Sequence, residues 1–134
     1  MEKIRRFFKN DRFAERSNIE LISLAPGYAK CRMPLQNYHL NGYNTVHGGA
    51  IFTLADFTFA AASNSHGNIA VAINASISFL KAGTSGTLWA EARELARNPK
   101  LASYTVEVRD DAGDLVAVFQ GMVYRKSEVI PEES

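Results

Sequence analysis

The stretch Asn41-Gly-Tyr-Asn-Thr-Val-His47-Gly48-Gly49 ends in two glycines that open a helical run, and a lone carboxylate, Asp56, follows on that run. Backbone N–H groups in the first turn of a helix lack intrahelical partners and stand at the positive end of its dipole. Donors so placed hold an oxyanion, either a phosphate or a carbonyl oxygen gaining negative charge. Glycine lets the backbone pass close to a ligand and adopt conformations other residues resist. Asn41 and His47 are further polar groups within reach of that point. The chemistry these types allow is activation of a carbonyl, with an acid available to act beside it. The plainer reading is a tight loop-to-helix turn and a satisfied buried acid; four such groups on one element weigh against it.

The element that must position them runs from Ala50 to Ser63 without Pro or Gly, fourteen residues rich in Leu, Ala, Phe and Ile. That is about four turns of helix. Asp56 is its one charged side chain, and a helix apolar nearly all round is a buried one. A carboxylate there is costly unless it is paired or used. Thr53, Asp56 and Ser63 fall near one stripe, with Ala60 between them. Gly48 and Asp56 lie about 12 Å apart along the axis, at 1.5 Å per residue. A donor and a carboxylate serving one carbon must each lie about 3 Å from it, so one helix cannot supply both. Two antiparallel copies could, giving two identical composite sites across a two-fold axis. If these residues act together, the protein is at least a dimer.

The rest of the chain reads as one domain over 1–134. Hydrophobic content of 46% with 22% charged is globular, and a net charge of +1 offers no broad field for nucleic acid or an anionic membrane. The single Cys31 has no internal partner and reads as core. No apolar run follows Met1 and none approaches 18 residues, which predicts a soluble, cytoplasmic protein.

Residues 2–10 predict a short helix with Ile4, Phe7 and Phe8 on one face, either a packing helix or a substrate-covering lid. Strands are predicted at 18–24 and 28–33 about a Pro26-Gly27 turn. His39 reads as a surface or loop histidine. Gly67 closes the long helix. An uncharged strand, 69–80, either pairs with its own copy at a sheet edge or sits centrally in the monomer. Strands at 87–97, 101–109 and 115–125 follow, with a frayed tail at 127–134. The fold class is α+β, an antiparallel sheet of about six strands wrapped around one long central helix.

The run Asn41-Gly-x-x-x-x-His47-Gly48-Gly49-x-x-x-x-Leu54-Ala55-Asp56, with Phe79-Leu80-Lys81 and Gly86-x-Leu88-x-Ala90-x-Ala92, resembles the hotdog-fold acyl-CoA thioesterases, nearest the phenylacetate-degradation (PaaI-like) branch. The resemblance spans Phe8 to Lys126. It implies a hotdog homodimer, commonly a dimer of dimers, hydrolysing a coenzyme A thioester with an aryl-acetyl, aroyl or short to medium acyl group. In that frame Gly48 polarises the carbonyl through its N–H, and Asp56 of the other protomer is general base or nucleophile. Asn41 orients thioester or water, and His47 supports the loop. Gly49, Thr53, Phe52 and Asn74 join the substrate site, and Ile51, Phe52, Phe57 and Phe79 line the acyl pocket. Among Lys81, Arg97, Lys100, Arg125 and Lys126, the resemblance favours Arg97, Arg125 and Lys126 for the coenzyme phosphates. Coenzyme A is part of the substrate; no separate cofactor or metal is expected. Some relatives carry Ser or Thr one turn after the acid, or Ser on the next strand, where this chain has Ala60 and Ala72. Thr53, Asn74 or Ser76 are candidates to replace them as the water-holding group. The alternatives are a hotdog acyl-thioester hydratase or dehydratase and a non-catalytic acyl-CoA-binding module.

Overall fold

A computed structural model describes residues 1–132. Two short helices open the chain, α1 (Glu2–Phe8) and α2 (Arg12–Arg16). The second follows from Asp11, whose carboxylate caps it by accepting the Ala14 N–H at 2.9 Å. Asn18 then takes φ +61°, so the first strand starts later than the alternation predicts. Strands β1 (Glu20–Ala25) and β2 (Tyr28–Pro34) form a hairpin about Gly27, at φ +70°. A single 3-10 turn, Asn37–His39, leads to the long helix α3 (Gly48–Ser63). Four strands complete the chain: β3 (Asn68–Phe79), β4 (Thr87–Arg97), β5 (Leu101–Arg109) and β6 (Leu115–Val129).

All six strands form one antiparallel sheet in the order β1-β2-β4-β5-β6-β3, curled around α3. Alternate residues of its inner face are fully buried, among them Cys31, Leu88, Ala90, Ala92, Tyr104, Val106 and Phe119. The small side chains of β4 let the helix sit close. Burial pushes the Cys31 thiol up to about 12, so it packs as core and is not a nucleophile. Gly121 makes room for Phe59: a β-carbon there would stand 2.7 Å from the Phe59 ring, which also packs on Phe119 and Tyr104. No described helix is long and apolar enough to cross a membrane.

Of the two placements open for β3 the structure takes the edge: among the described residues it bonds only β6 and leaves an uncharged edge, with Val71 through Ser76 exposed. One reading needs correction. The predicted fraying from 127 does not hold for its described part. Strand β6 continues to Val129, pairing it with Asn68, and the buried Ile130 donates its N–H to Gly67 O at 2.9 Å. The start of β3 gives these residues backbone partners, so they stay folded. Residues 133 and 134 of that tail lie outside the described range.

Candidate active site

The loop before α3 is held by Asn41. Its Oδ1 accepts the N–H groups of Tyr43 and Thr45, its Nδ2 donates to Thr45 Oγ1 at 2.9 Å, and its own N–H donates to Thr45 O. Asn41 thus builds the turn, with one amide proton to spare. His39 is buried, contrary to the surface reading. It accepts the Gln36 N–H at Nδ1, bonds Ser17 O through Nε2, and its carbonyl takes the His47 N–H. A buried imidazole with both nitrogens satisfied fixes the loop's path.

His47 is the N-cap of α3, and its Nδ1 accepts the Gly49 N–H at 2.9 Å. An accepting Nδ1 places the ring proton on Nε2, a donor. Ala50 and Ile51 both donate to His47 O. Among the described residues this leaves Gly48 as the one first-turn amide with no acceptor. The sequence predicts a set of free donors; the structure reduces it to one.

The glycines are needed for space rather than unusual dihedrals, since neither has positive φ. A β-carbon on Gly49 would stand 3.0 Å from His47 Nδ1 and disturb the cap. One on Gly48 would meet the Phe79 ring at 3.3 Å. Phe79 and Ile51 line a shallow cleft beside Gly48.

Asp56 lies on the half-exposed stripe of α3 with Gly48, Thr53 and Ala60. Nothing among the described residues hydrogen-bonds its carboxylate. Burial lifts its pKa above the usual carboxylate value, and the charge of Asp11 adds to the rise. Thr53 sits between Asp56 and the helix start, donating its hydroxyl to Gly49 O at 2.7 Å. Ser63 does not share the stripe; it is buried and bonds Ala60 O. Helix α3 is continuous over Gly48–Ser63, so Gly48 and Asp56 of one chain stay about 12 Å apart.

The aromatic positions are split. Phe52 packs on Phe119, whereas Phe57 packs on Phe8 and lines a separate cavity of about 460 Å³ with Arg5, Asp11, Ala14 and Leu21. Asn74 and Ser76 pair with Met122 and Gln120 on the sheet face away from α3, because the register breaks between Ala72 and Asn74. Neither therefore faces Asp56 of its own chain.

At the far end of β3, Arg97, Arg125 and Lys126 come together with Lys100 and His66 around an open cleft of about 890 Å³. Lys81 is not among them. Its ammonium lies 2.7 Å from both Asp110 and Asp114, whose bonds raise its pKa, so its charge is met locally. Glu94 stands behind His66, accepting from Tyr104 Oη and bonding His66 Nε2, each at 2.8 Å. Burial alone would raise the Glu94 carboxyl; the His66 and Tyr104 bonds outweigh it and hold it below its usual value. Asp11, His66 and Glu94 are absent from the sequence-based site. The one signal for Asp11 was a capping residue ahead of a short helix.

Comparison with known proteins returns one family. The model described as Thioesterase superfamily matches residues 43–117. A protein of Archaeoglobus fulgidus is 44% identical over 95% of this chain and 83% of its own. The acyl-coenzyme A thioesterase PaaI of Escherichia coli is 36% identical over 95% of this chain and 91% of its own. The solved structure of E. coli PaaI superposes with a TM-score of 0.93, covering 97% of this chain and 95% of that one. A Streptococcus mutans protein solved bound to acetyl CoA is 28% identical at a TM-score of 0.79, covering 84% of this chain and 91% of that one.

Proposed function

This chain belongs to the thioesterase superfamily and has the hotdog fold, and from that premise we propose how it hydrolyses acyl-coenzyme A thioesters. The observation that carries the reading is the pairing, on one helix, of a single free amide at Gly48 with an unbonded, half-buried Asp56. The Gly48 N–H donates to the thioester oxygen and stabilises it as charge develops in the tetrahedral intermediate. Asp56 of the partner subunit, brought across a two-fold axis, supplies the attack. As base it takes a proton from water, whose oxygen attacks the carbonyl, and that proton passes to the departing coenzyme A thiolate. As nucleophile it forms a mixed anhydride as the C–S bond breaks, and water then hydrolyses the anhydride and supplies the thiol proton. The His47 Nε2 proton and the spare Asn41 amide proton are further donors of the same loop.

The uncharged edge of β3 is the surface on which two copies pair. A two-fold axis there sets the strands antiparallel, with the Asn68 end of one beside the Phe79 end of the other. That arrangement supports coenzyme binding as well. Within one chain, Gly48 under Phe79 and the basic cleft at Asn68 are separated by β3, roughly 36 Å at 3.3 Å per residue. Pairing brings the cleft of one copy toward the Gly48 end of the other, so Arg97, Arg125 and Lys126 take the coenzyme phosphates. The cavity under α1 and α2, beside Asp11, takes the acyl group, of aryl-acetyl, aroyl or short to medium aliphatic type. Val71, Met122 and Tyr124, exposed on the outer sheet face, support a dimer of dimers. The substrate carries the coenzyme, the reaction needs no separate cofactor, and the compartment is the cytoplasm.

Mixing two inactive variants tests the shared site. Gly48→Pro deletes the amide at a first helical position where proline fits. The preceding His47, at φ −60° and ψ 133°, is compatible with it. Asp56→Asn removes the carboxylate. Co-refolding the two restores one intact site in each mixed dimer, about a quarter of the parental thiol release on random pairing. No recovery despite demonstrated mixed dimers overturns the shared site.

A further inference from the structure

We propose that His66, held in place by Glu94, is a ligand for a coenzyme phosphate. The inference rests on placing the phosphates in the cleft of Arg97, Arg125 and Lys126, and adds a residue which that reading lacks.

His66 lines the cleft directly, at the turn between α3 and β3. Only one ring nitrogen is engaged: Nε2 bonds Glu94 Oε1 at 2.8 Å, and Nδ1 has no partner among the described residues. Glu94 is itself pinned by the buried Tyr104, whose hydroxyl donates to the same oxygen at 2.8 Å, and its other oxygen lies 4.0 Å from Arg97 Nε. A carboxylate beside an anion site would oppose binding unless neutralised. Here His66, Tyr104 and Arg97 stand around it, and the His66 bond fixes the imidazole ring at the rim. Glu94 is therefore a positioning residue and His66 a contact residue. The cations lining the cleft with His66 are Arg97 on β4, Lys100 on the turn between β4 and β5, and Arg125 and Lys126 on β6. With Nε2 turned to Glu94, Nδ1 is the ring nitrogen left to meet a phosphate oxygen, to which an imidazolium donates its Nδ1–H.

The test measures KM at one fixed pH for one acyl group on coenzyme A and on pantetheine, which lacks the nucleotide phosphates. His66→Gln keeps a donor toward Glu94 and loses the free ring nitrogen. Its KM relative to the parent on the coenzyme A substrate is expected to rise about tenfold, as for one charge-assisted bond. With acyl-pantetheine the ratio stays near one. A ratio near one on coenzyme A, or equal to that on pantetheine, overturns the role of His66. Arg97→Gln separates the two readings. A raised KM confined to coenzyme A, with a His66→Gln ratio near one, retains the cleft and removes His66. An unchanged KM removes the cleft and the proposal with it.

Discussion

The Phe79 ring stands 3.3 Å from the point a β-carbon on Gly48 would occupy, so the free amide of α3 is roofed by an aromatic from the end of β3. Gly48→Ala keeps the N–H but pushes the ring; Gly48→Pro also deletes the donor. Gly48→Pro should lower kcat on the order of 10²–10³-fold, the loss typical of one oxyanion donor. Gly48→Ala should cost much less. Equal losses in steady-state thiol-release assays would mean that space, not the amide, is what matters at Gly48.

Asp56→Asn should abolish turnover and stabilise the fold. The folded chain raises the Asp56 pKa, so it binds that proton more tightly than the unfolded chain does. The penalty is therefore full above the raised value and absent below the ordinary one. Melting curves should show the variant above the parent at neutral pH and equal to it near about pH 3. A variant less stable at neutral pH would show that the carboxylate is paired in the assembled protein.

Asp11 adds to the rise of the Asp56 pKa from the cap of α2. Asparagine caps a helix about as well, so Asp11→Asn spares α2 and removes only the charge. If Asp56 acts as the carboxylate proposed, the acid limb of the kcat profile should move to lower pH in this variant. A limb in the same place would detach Asp11 from the site.

Ile73 stands 55% exposed on the free edge of β3. Lysine on an edge strand discourages pairing, so Ile73→Lys should give a folded monomer without hydrolysis. Light scattering and circular dichroism read the two halves of this outcome. An active monomer would place the whole reaction in one chain.

What could be read in advance was what depends on local pattern. Helix α3 showed in its unbroken apolar run, the inner face of β4 in Leu88-x-Ala90-x-Ala92, and the Gly48 and Asp56 candidates in residue type alone. What was hidden depends on three dimensions. Helix α2 is too short for periodicity to register, and only Asp11 marks it. Strict alternation puts Ala72 and Asn74 on one face, but the bulge between them turns Asn74 outward. His39 looked like any loop histidine because its partners, Ser17 and Gln36, belong to a fold not yet assembled. The spatial reason for Gly48 and Gly49 lay with Phe79 and His47, which dihedral preference alone does not reveal.

Ile130 has a consequence for anyone shortening or extending this polypeptide. Its bond to Gly67 fastens the last strand across the turn that carries His66, one residue before it. A cut after Lys126 would remove that latch, and damage to coenzyme affinity would then come from a slackened hinge rather than a missing charge.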